Sequence, residues 1–207
     1  YLRWGSTFFQ RLVGMFAFAI HHPDGSILLH RDQTGQKPLY YFKDTKCLVY
    51  SSVLSSLIHL VGPQYLNSDS ILLYLFLSYI PSPYCIYDGI KKVAPGELIR
   101  IDSSGRLSSS KIETSVSHKT TIDDIIKYST ISDTPIGLSL SAGIDSSIIL
   151  KSIHDKLSIA YTVKSDGWNN TNDEWKLAAK FAGSLKVKHN LISVDGLDVA
   201  TINRIYE

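Results

Sequence analysis

The feature that most constrains this chain of 207 residues is the sequence Ser-Ala-Gly-Ile-Asp-Ser-Ser at 141–147. An apolar run at 135–140 precedes it, and an apolar pattern typical of a helix follows it. This order predicts a strand, a loop of small residues and the start of a helix. Free amides and the helix dipole at such a junction favour an anion, so we expect the loop to bind phosphate groups.

Three hydroxyls and one carboxylate give this loop its chemistry. Ser141, Ser146 and Ser147 supply hydrogen-bond donors. Asp145 would repel phosphates unless a cation lay between them, so it predicts a ligand of Mg²⁺. Ala142 requires a negative φ, because a methyl group is strained in the left-handed region, and we expect the loop to provide it. Neither the Walker A pattern nor the glycine pattern of dinucleotide-binding sites is present.

Composition places the chain among globular proteins. Hydrophobic residues make up 44% and charged residues 19%, which predicts a sizeable core. A net charge of +2 without a basic cluster argues against a nucleic-acid surface. The most apolar stretch, 71–80, is too short to span a bilayer, and no signal-peptide pattern opens the chain. Cys47 and Cys85 lack metal-like spacing, so we expect reduced thiols in a cytoplasmic protein.

The first half of the chain is typical of antiparallel β structure. Its apolar runs and turn signals predict strands at 13–20, 26–30, 40–42, 47–52 and 97–102, and helices at 53–61 and 70–79. Residues 103–120 are rich in Ser and Thr and lack apolar periodicity, which predicts a linker.

Two groups of residues in this half are interpreted as structural. Met15, Phe16 and Phe18 are expected in the core. Arg31 and Asp32 are expected to form a turn with an ion pair, since Gly and Pro follow them closely.

The hydrophobic period changes after residue 120. Thr121 is expected to cap a helix whose first turn carries Asp123 and Asp124. His189 begins the last predicted strand and could be either structural or in contact with substrate. Alternating elements predict a parallel sheet whose ligands lie at the carboxyl ends of its strands. The expected strands are 135–140, 158–163 and 189–194, with helices at 145–157 and 173–185.

The whole pattern resembles the glutamine-hydrolysing asparagine synthetase family. The loop at 141–147 is similar to the pyrophosphate-binding loop of ATP pyrophosphatases, with Ala142 where Gly is commoner. Val53 stands where the family usually has Glu. The other matching segments are 12–20, 31–32, 35, 37–41, 50–57, 90–97, 173–174, 178–179 and 189.

The resemblance implies an α/β protein in two parts. Residues 1–110 would be the C-terminal part of a glutamine amidotransferase type 2 domain, an incomplete antiparallel β sandwich layer of the N-terminal-nucleophile type. A linker is expected at 111–120. Residues 121–207 would be the N-terminal part of an incomplete parallel α/β ATP pyrophosphatase domain (adenine nucleotide alpha hydrolase-like). The chain is therefore expected to be a fragment at both ends.

The resemblance also implies a reaction. The complete enzyme would use ATP, Mg²⁺ and glutamine-derived ammonia to convert aspartate into asparagine through β-aspartyl-AMP. Its implied partners are these small molecules and a second copy in a homodimer, with neither nucleic acid nor membrane. Asp145 is the implied metal ligand. The residues implied to bind the nucleotide are Ser139, Leu140, Ser141, Ala142, Gly143, Ile144, Asp145, Ser146, Ser147 and Val163.

No residue of this chain is assigned a catalytic role. The family's nucleophile is a cysteine at the mature N-terminus, where the free α-amine acts as base. This chain begins with Tyr1, and neither Cys47 nor Cys85 can take that place, so we expect the chain alone to lack glutaminase activity. Two alternatives remain open. One is a related amidotransferase or a β-lactam synthetase-like adenylating enzyme, and the other is a non-catalytic truncated binding or assembly module.

Overall fold

The computed structural model describes residues 1–113, 121–165 and 174–194, without the side chains of Ser165 and Val194. The chain divides into two compact units, Tyr1–Ser117 and His118–Glu207. The described part of the first contains antiparallel sheets and that of the second a parallel sheet. The α/β class and both kinds of sheet are thereby confirmed, whereas the exact domain boundaries remain a prediction.

The first unit is built on two antiparallel sheets that pack face to face. Leu29, Tyr41 and Ile99 come from different strands and are buried in one apolar cluster between the sheets. One sheet consists, in spatial order, of β1 (Ala17–His21), β2 (Ile27–Arg31), β6 (Glu97–Ile101) and β7 (Leu107–Lys111). The other consists of β4 (Leu48–Ser51), β3 (Tyr40–Lys43) and β5 (Ile90–Lys92).

Helical segments accompany these sheets. A 3-10 helix, Gly5–Arg11, precedes β1 and was not expected from the sequence. Helix α1 (Leu54–Val61) buries Leu57 in a cluster with residues of the second sheet. Helix α2 (Ser68–Leu77) begins after Asn67, whose side chain accepts the Ser70 amide at 2.8 Å. None of the helices within the described ranges is long and apolar enough to cross a membrane.

The expectations for the linker and for Met15 are wrong. Residues 107–111 form β7 rather than a linker, because their main chain pairs with β6 although all five side chains are exposed. Residues 103–106 and 112–113 are neither helix nor strand, and the last part of the predicted linker, 114–120, lies outside the described residues. Met15 is 54% exposed rather than in the core, while Phe16 and Phe18 are partly buried against the ring of His30.

The turn after β2 is structural, as expected, but its two charges do not form an ion pair. Arg31 donates to the carbonyl oxygens of Lys37 and Val93 at 2.7 and 2.8 Å. The Asp32 carboxylate accepts the amides of Gln36 and Lys37, both at 2.9 Å. Main-chain groups therefore satisfy both side chains.

The second unit alternates helices and strands. Thr121 and Asp124 form a capping box at the start of α3, as expected from the sequence. Helix α4 ends at Ile153, four residues before the predicted end. The elements are α3 (Ile122–Tyr128), β8 (Ile136–Ser139), α4 (Ile144–Ile153), β9 (Leu157–Ser165), α5 (Glu174–Ser184) and β10 (His189–Val194).

The parallel sheet of this unit brings the predicted loop to one edge. Its strands lie in the order β10, β9, β8, and both pairings are parallel. Leu150 from α4, Ala160 from β9 and Ala178 from α5 are buried together in its core. Because parallel strands end at the same edge, the chain that leaves β8 enters the loop beside the later residues of β9.

Candidate functional site

The predicted loop lies between β8 and α4, as the sequence indicated. β8 ends at Ser139, and α4 begins at Ile144 with Gly143 as its N-cap residue. Gly143 has φ −72° and ψ 156°, an extended conformation open to any residue. The strand, loop and helix order predicted for 135–147 is therefore confirmed.

Four main-chain amides make this loop a candidate anion site. Within the described ranges, no acceptor forms a hydrogen bond with the main-chain N–H groups of Ala142, Ile144, Asp145 and Ser146. The last three belong to the first turn of α4, where the helix dipole is positive. Their donors are thus available to a negatively charged group at the carboxyl end of β8.

The serine hydroxyls of the loop bond to the loop itself. Oγ of Ser146 lies 3.0 Å from Oγ of Ser141 and accepts the Ser141 amide at 3.2 Å. Oγ of Ser141 in turn accepts the amide of Gly143 at 3.1 Å. Oγ of Ser147 donates to the carbonyl of Gly143 at 2.8 Å. In this structure the three hydroxyls brace the loop, and their expected role as phosphate donors stays a prediction.

Gly143 and Ala142 fit the loop for different reasons. A Cβ atom at Gly143 would lie 3.1 Å from Oγ of Ser141, which is closer than most Cβ contacts. Ala142 does not lie in the left-handed region, because Ser78 and Lys186 are the only non-glycine residues with positive φ in the described part of the chain. The expectation that the loop accommodates Ala142 is therefore confirmed.

Leu140 has a different role from the one expected. Its side chain is 2% exposed in the core, and its amide donates to the carbonyl of Tyr161 at 2.7 Å. Its carbonyl accepts the hydroxyl of Thr162 at 2.8 Å. The side chain and the amide are thus unavailable to a ligand, and Leu140 instead ties the start of the loop to the sheet.

The remaining predicted residues lie near this edge and are accessible. Ser139 is exposed at the end of β8, and Val163 is 61% exposed on β9. Asp145 is exposed in the first turn of α4. No three His, Cys, Asp or Glu side chains within the described ranges come together as a metal cluster. The metal prediction therefore rests on Asp145, and a cation there would need phosphate oxygens and water as further ligands.

The sequence analysis missed Thr162. This residue is 7% exposed, and its hydroxyl lies 2.8 Å from Nε2 of His189 as well as 2.8 Å from the Leu140 carbonyl. His189 therefore has a structural partner, while contact with a substrate stays a prediction. A threonine in a buried strand signals a hydroxyl that needs a partner, but sequence does not reveal partners 22 and 27 residues away.

Comparison with known proteins gives matches along nearly the whole chain. Residues 1–111 match the family described as a glutamine amidotransferase domain, and residues 118–206 match the family described as asparagine synthase. The first match alone covers more than half of the 207 residues.

Several relatives carry the name of a glutamine-hydrolysing asparagine synthetase. The one from Methanocaldococcus jannaschii is 30% identical over 155 residues, which cover 66% of this chain and 30% of that protein. Asparagine synthetase 1 of Bacillus subtilis is 29% identical over 167 residues, covering 72% of this chain and 26% of that protein. The chain thus spans less than a third of the length of either relative.

Solved structures also match. One of them is the glutamine phosphoribosylpyrophosphate amidotransferase of Bacillus subtilis, with 15% identity, 86% of this chain covered and 32% of that chain. Its TM-score is 0.30, which is too low to indicate a shared fold.

Proposed function

This chain belongs to the glutamine-hydrolysing asparagine synthetase family, and on that premise we propose that its second unit binds the phosphates of ATP. In the complete protein this binding serves the amidation of aspartate to asparagine by glutamine-derived ammonia, through β-aspartyl-AMP. The first unit belongs to the domain that releases the ammonia. The reaction is proposed for the complete protein, because this chain covers 30% and 26% of the two relatives.

The observation that carries the proposal is the set of unpartnered amides at Ala142, Ile144, Asp145 and Ser146. They lie at the edge at which parallel sheets bind ligands, at the positive end of α4. Transfer of an adenylyl group develops charge on phosphate oxygens, and donors held in place before the reaction stabilise that charge. The loop is already braced by its own hydroxyls, so its amides need little reorganisation to receive an anion.

A divalent cation is proposed as part of the same site. Asp145 would hold Mg²⁺ at this loop, and the ion would supply positive charge that offsets the charge of the phosphates. The side chain of Asp145 is exposed and has no hydrogen-bond partner within the described ranges, so its carboxylate is available for this role. Ser139 and Val163, both exposed near the loop, are proposed to contact the adenosine part.

The finer fold assignments and the cellular setting belong to the same proposal. The sandwich of the first unit is proposed to be a layer of an N-terminal-nucleophile-type domain. The sheet of the second unit is proposed to be part of an ATP pyrophosphatase domain. Cys47 and Cys85 are free thiols in the structure. Because the cytoplasm keeps thiols reduced, this supports the proposal that the protein is cytoplasmic.

A homodimer is proposed as the protein partner. Large apolar side chains of α2 are exposed, with Phe76 at 91%. Exposed apolar patches of this kind mark protein contacts in soluble proteins. The other exposed apolar residues on or beside this helix are Tyr65, Leu66, Leu72, Tyr74, Leu75, Leu77 and Tyr79.

The test is calorimetric titration of the chain with ATP and Mg²⁺, comparing it with Asp145→Ala. We expect saturable binding that weakens at least about tenfold in the variant, since removal of a ligand to a phosphate-bound cation costs more than about 1.4 kcal/mol. Asp133→Ala is the matched control, because Asp133 is exposed in the same unit and lies outside the loop. Absence of binding, or equal binding by the Asp145 variant, would refute the assignment.

A further inference from the structure

We propose that His189 is a positioning residue, which acts through Thr162 on the peptide between Leu140 and Ser141. The proposal rests on the phosphate-binding function proposed above. His189 lies on β10, which is separated from β8 by β9. It is linked to the loop through the Thr162 hydroxyl, which contacts both His189 and the Leu140 carbonyl.

The direction of these hydrogen bonds follows from the donors and acceptors present. A threonine hydroxyl has one proton, and a carbonyl oxygen can only accept. Thr162 therefore donates its proton to Leu140 at 2.8 Å. The contact of 2.8 Å between Thr162 and Nε2 of His189 then requires Nε2 to be the donor. His189 thus carries a proton on Nε2, and its imidazole fixes the orientation of the Thr162 hydroxyl.

These hydrogen bonds hold the peptide group between Leu140 and Ser141 at both its carbonyl and its amide. The peptide from Leu140 to Ser141 is planar, so its carbonyl and its amide point in opposite directions. Thr162 binds the carbonyl, and Oγ of Ser146 accepts the amide at 3.2 Å. The orientation of this plane sets the direction in which the chain enters the loop. It therefore also sets where the next amide, that of Ala142, points.

Burial makes the link specific for a hydroxyl. Thr162 is 7% exposed, so water has little access to replace its bond to Leu140. A valine at 162 would keep the shape of the side chain but leave a carbonyl without its donor. A serine would keep the hydroxyl, and a glutamine at 189 would keep an N–H donor near the position of Nε2.

The experiment measures pyrophosphate binding by calorimetry for the unsubstituted chain and four variants. We expect Thr162→Val to weaken binding roughly tenfold, since it loses a buried hydrogen bond, and His189→Leu roughly three- to tenfold, since it loses a part-buried one. Thr162→Ser and His189→Gln should stay within about twofold of the unsubstituted chain, because they retain the donors. Rescue by these conservative variants distinguishes positioning from a general loss of packing.

Hydrogen exchange in the absence of ligand gives a second readout. The Ser141 amide should exchange faster in Thr162→Val than in Thr162→Ser, with unchanged exchange at Leu150 in the core. If pyrophosphate binds equally to the valine and serine variants, or the exchange rates at Ser141 are equal, the positioning role is wrong while the proposed function stands. If the unsubstituted chain binds no pyrophosphate, the proposed function is wrong and this proposal is overturned with it.

Discussion

The carboxylate of Asp32 accepts the main-chain amide of Lys37 at 2.9 Å, and this contact closes the turn after β2. The same carboxylate accepts the amides of Thr34 and Gln36 at 3.2 and 2.9 Å. Asp32 is buried, so these bonds are shielded from water. Burial raises the pKa of Asp32, but the bonds from Lys37, Gln36 and Thr34 outweigh this and hold the pKa below its ordinary value.

Asp32→Asn is expected to destabilise the first unit by about 2–3 kcal/mol. The amide group of asparagine places a donor against main-chain donors, which leaves at least one buried amide unsatisfied. The free energy of unfolding measured in urea tests this. Asp69→Asn is the control, because Asp69 is exposed in the same unit, and it should change the value by less than about 1 kcal/mol. Equal losses in the two variants would contradict the role of Asp32.

Stability of the first unit is expected to fall as the pH drops below about 6.5 because of His30. This side chain is fully buried, and burial lowers its pKa despite the bond from Nδ1 to the carbonyl of Glu97. The unfolded chain therefore binds a proton at a pH where the folded chain does not. The free energy of unfolding should decrease by up to about 1.4 kcal/mol per pH unit between about 6.5 and the lowered pKa.

The variant His30→Asn isolates this effect. Asparagine offers a donor near the position of Nδ1 but does not titrate, so the slope of stability against pH should flatten although the variant is less stable throughout. His59 is exposed on α1, and His59→Asn should retain the slope. A slope that survives in His30→Asn would assign the proton uptake to another group.

Gly143→Ala is expected to weaken pyrophosphate binding several-fold, roughly three- to tenfold, with little change in stability. The extended backbone accepts alanine, but the added Cβ would crowd Oγ of Ser141 at 3.1 Å and disturb the brace. Gly183→Ala is the matched control, since nothing lies within 4 Å of its Cβ position on α5. It should leave binding unchanged and stabilise the unit by about 0.5–1 kcal/mol. Unchanged binding by Gly143→Ala would show that the brace is dispensable.

Self-association is expected to depend on α2. Replacing Leu75 by Lys and Phe76 by Glu removes exposed apolar surface, so it should lower the sedimenting mass of the protein with less than about 1 kcal/mol change in stability. Leu60→Lys serves for comparison, because Leu60 is 69% exposed on α1, outside this surface. If the double variant at Leu75 and Phe76 has the same sedimenting mass as Leu60→Lys, α2 does not form the proposed dimer contact.

Local signals predicted much of the fold. Thr121 with Asp124 caps α3, as the short-range polar pattern indicates. The chain from β8 into α4 was predicted for the same reason, because its apolar run and its small residues are adjacent in sequence.

Long-range pairing explains what the sequence did not reveal. β7 has almost no apolar residues, and it is a strand because β6 offers it main-chain partners. Likewise, the interaction of Thr162 with Leu140 and His189 joins residues that only the sheet brings together. The hydroxyls of Ser141 and Ser146 were expected to face a ligand, yet their nearest partners lie within the loop. Composition indicates which groups can donate, whereas distance decides to which acceptor they donate.

The polar face of β7 limits how far its sheet can extend. Ser108, Ser109 and Ser110 are followed by Lys111, and none of these side chains is buried. A strand from another protein molecule that paired with β7 would cover little apolar surface and would meet the positive charge of Lys111. The polar side chains of β7 thus oppose association through this edge strand. Mutations that add large aliphatic side chains there would make the edge prone to aggregation.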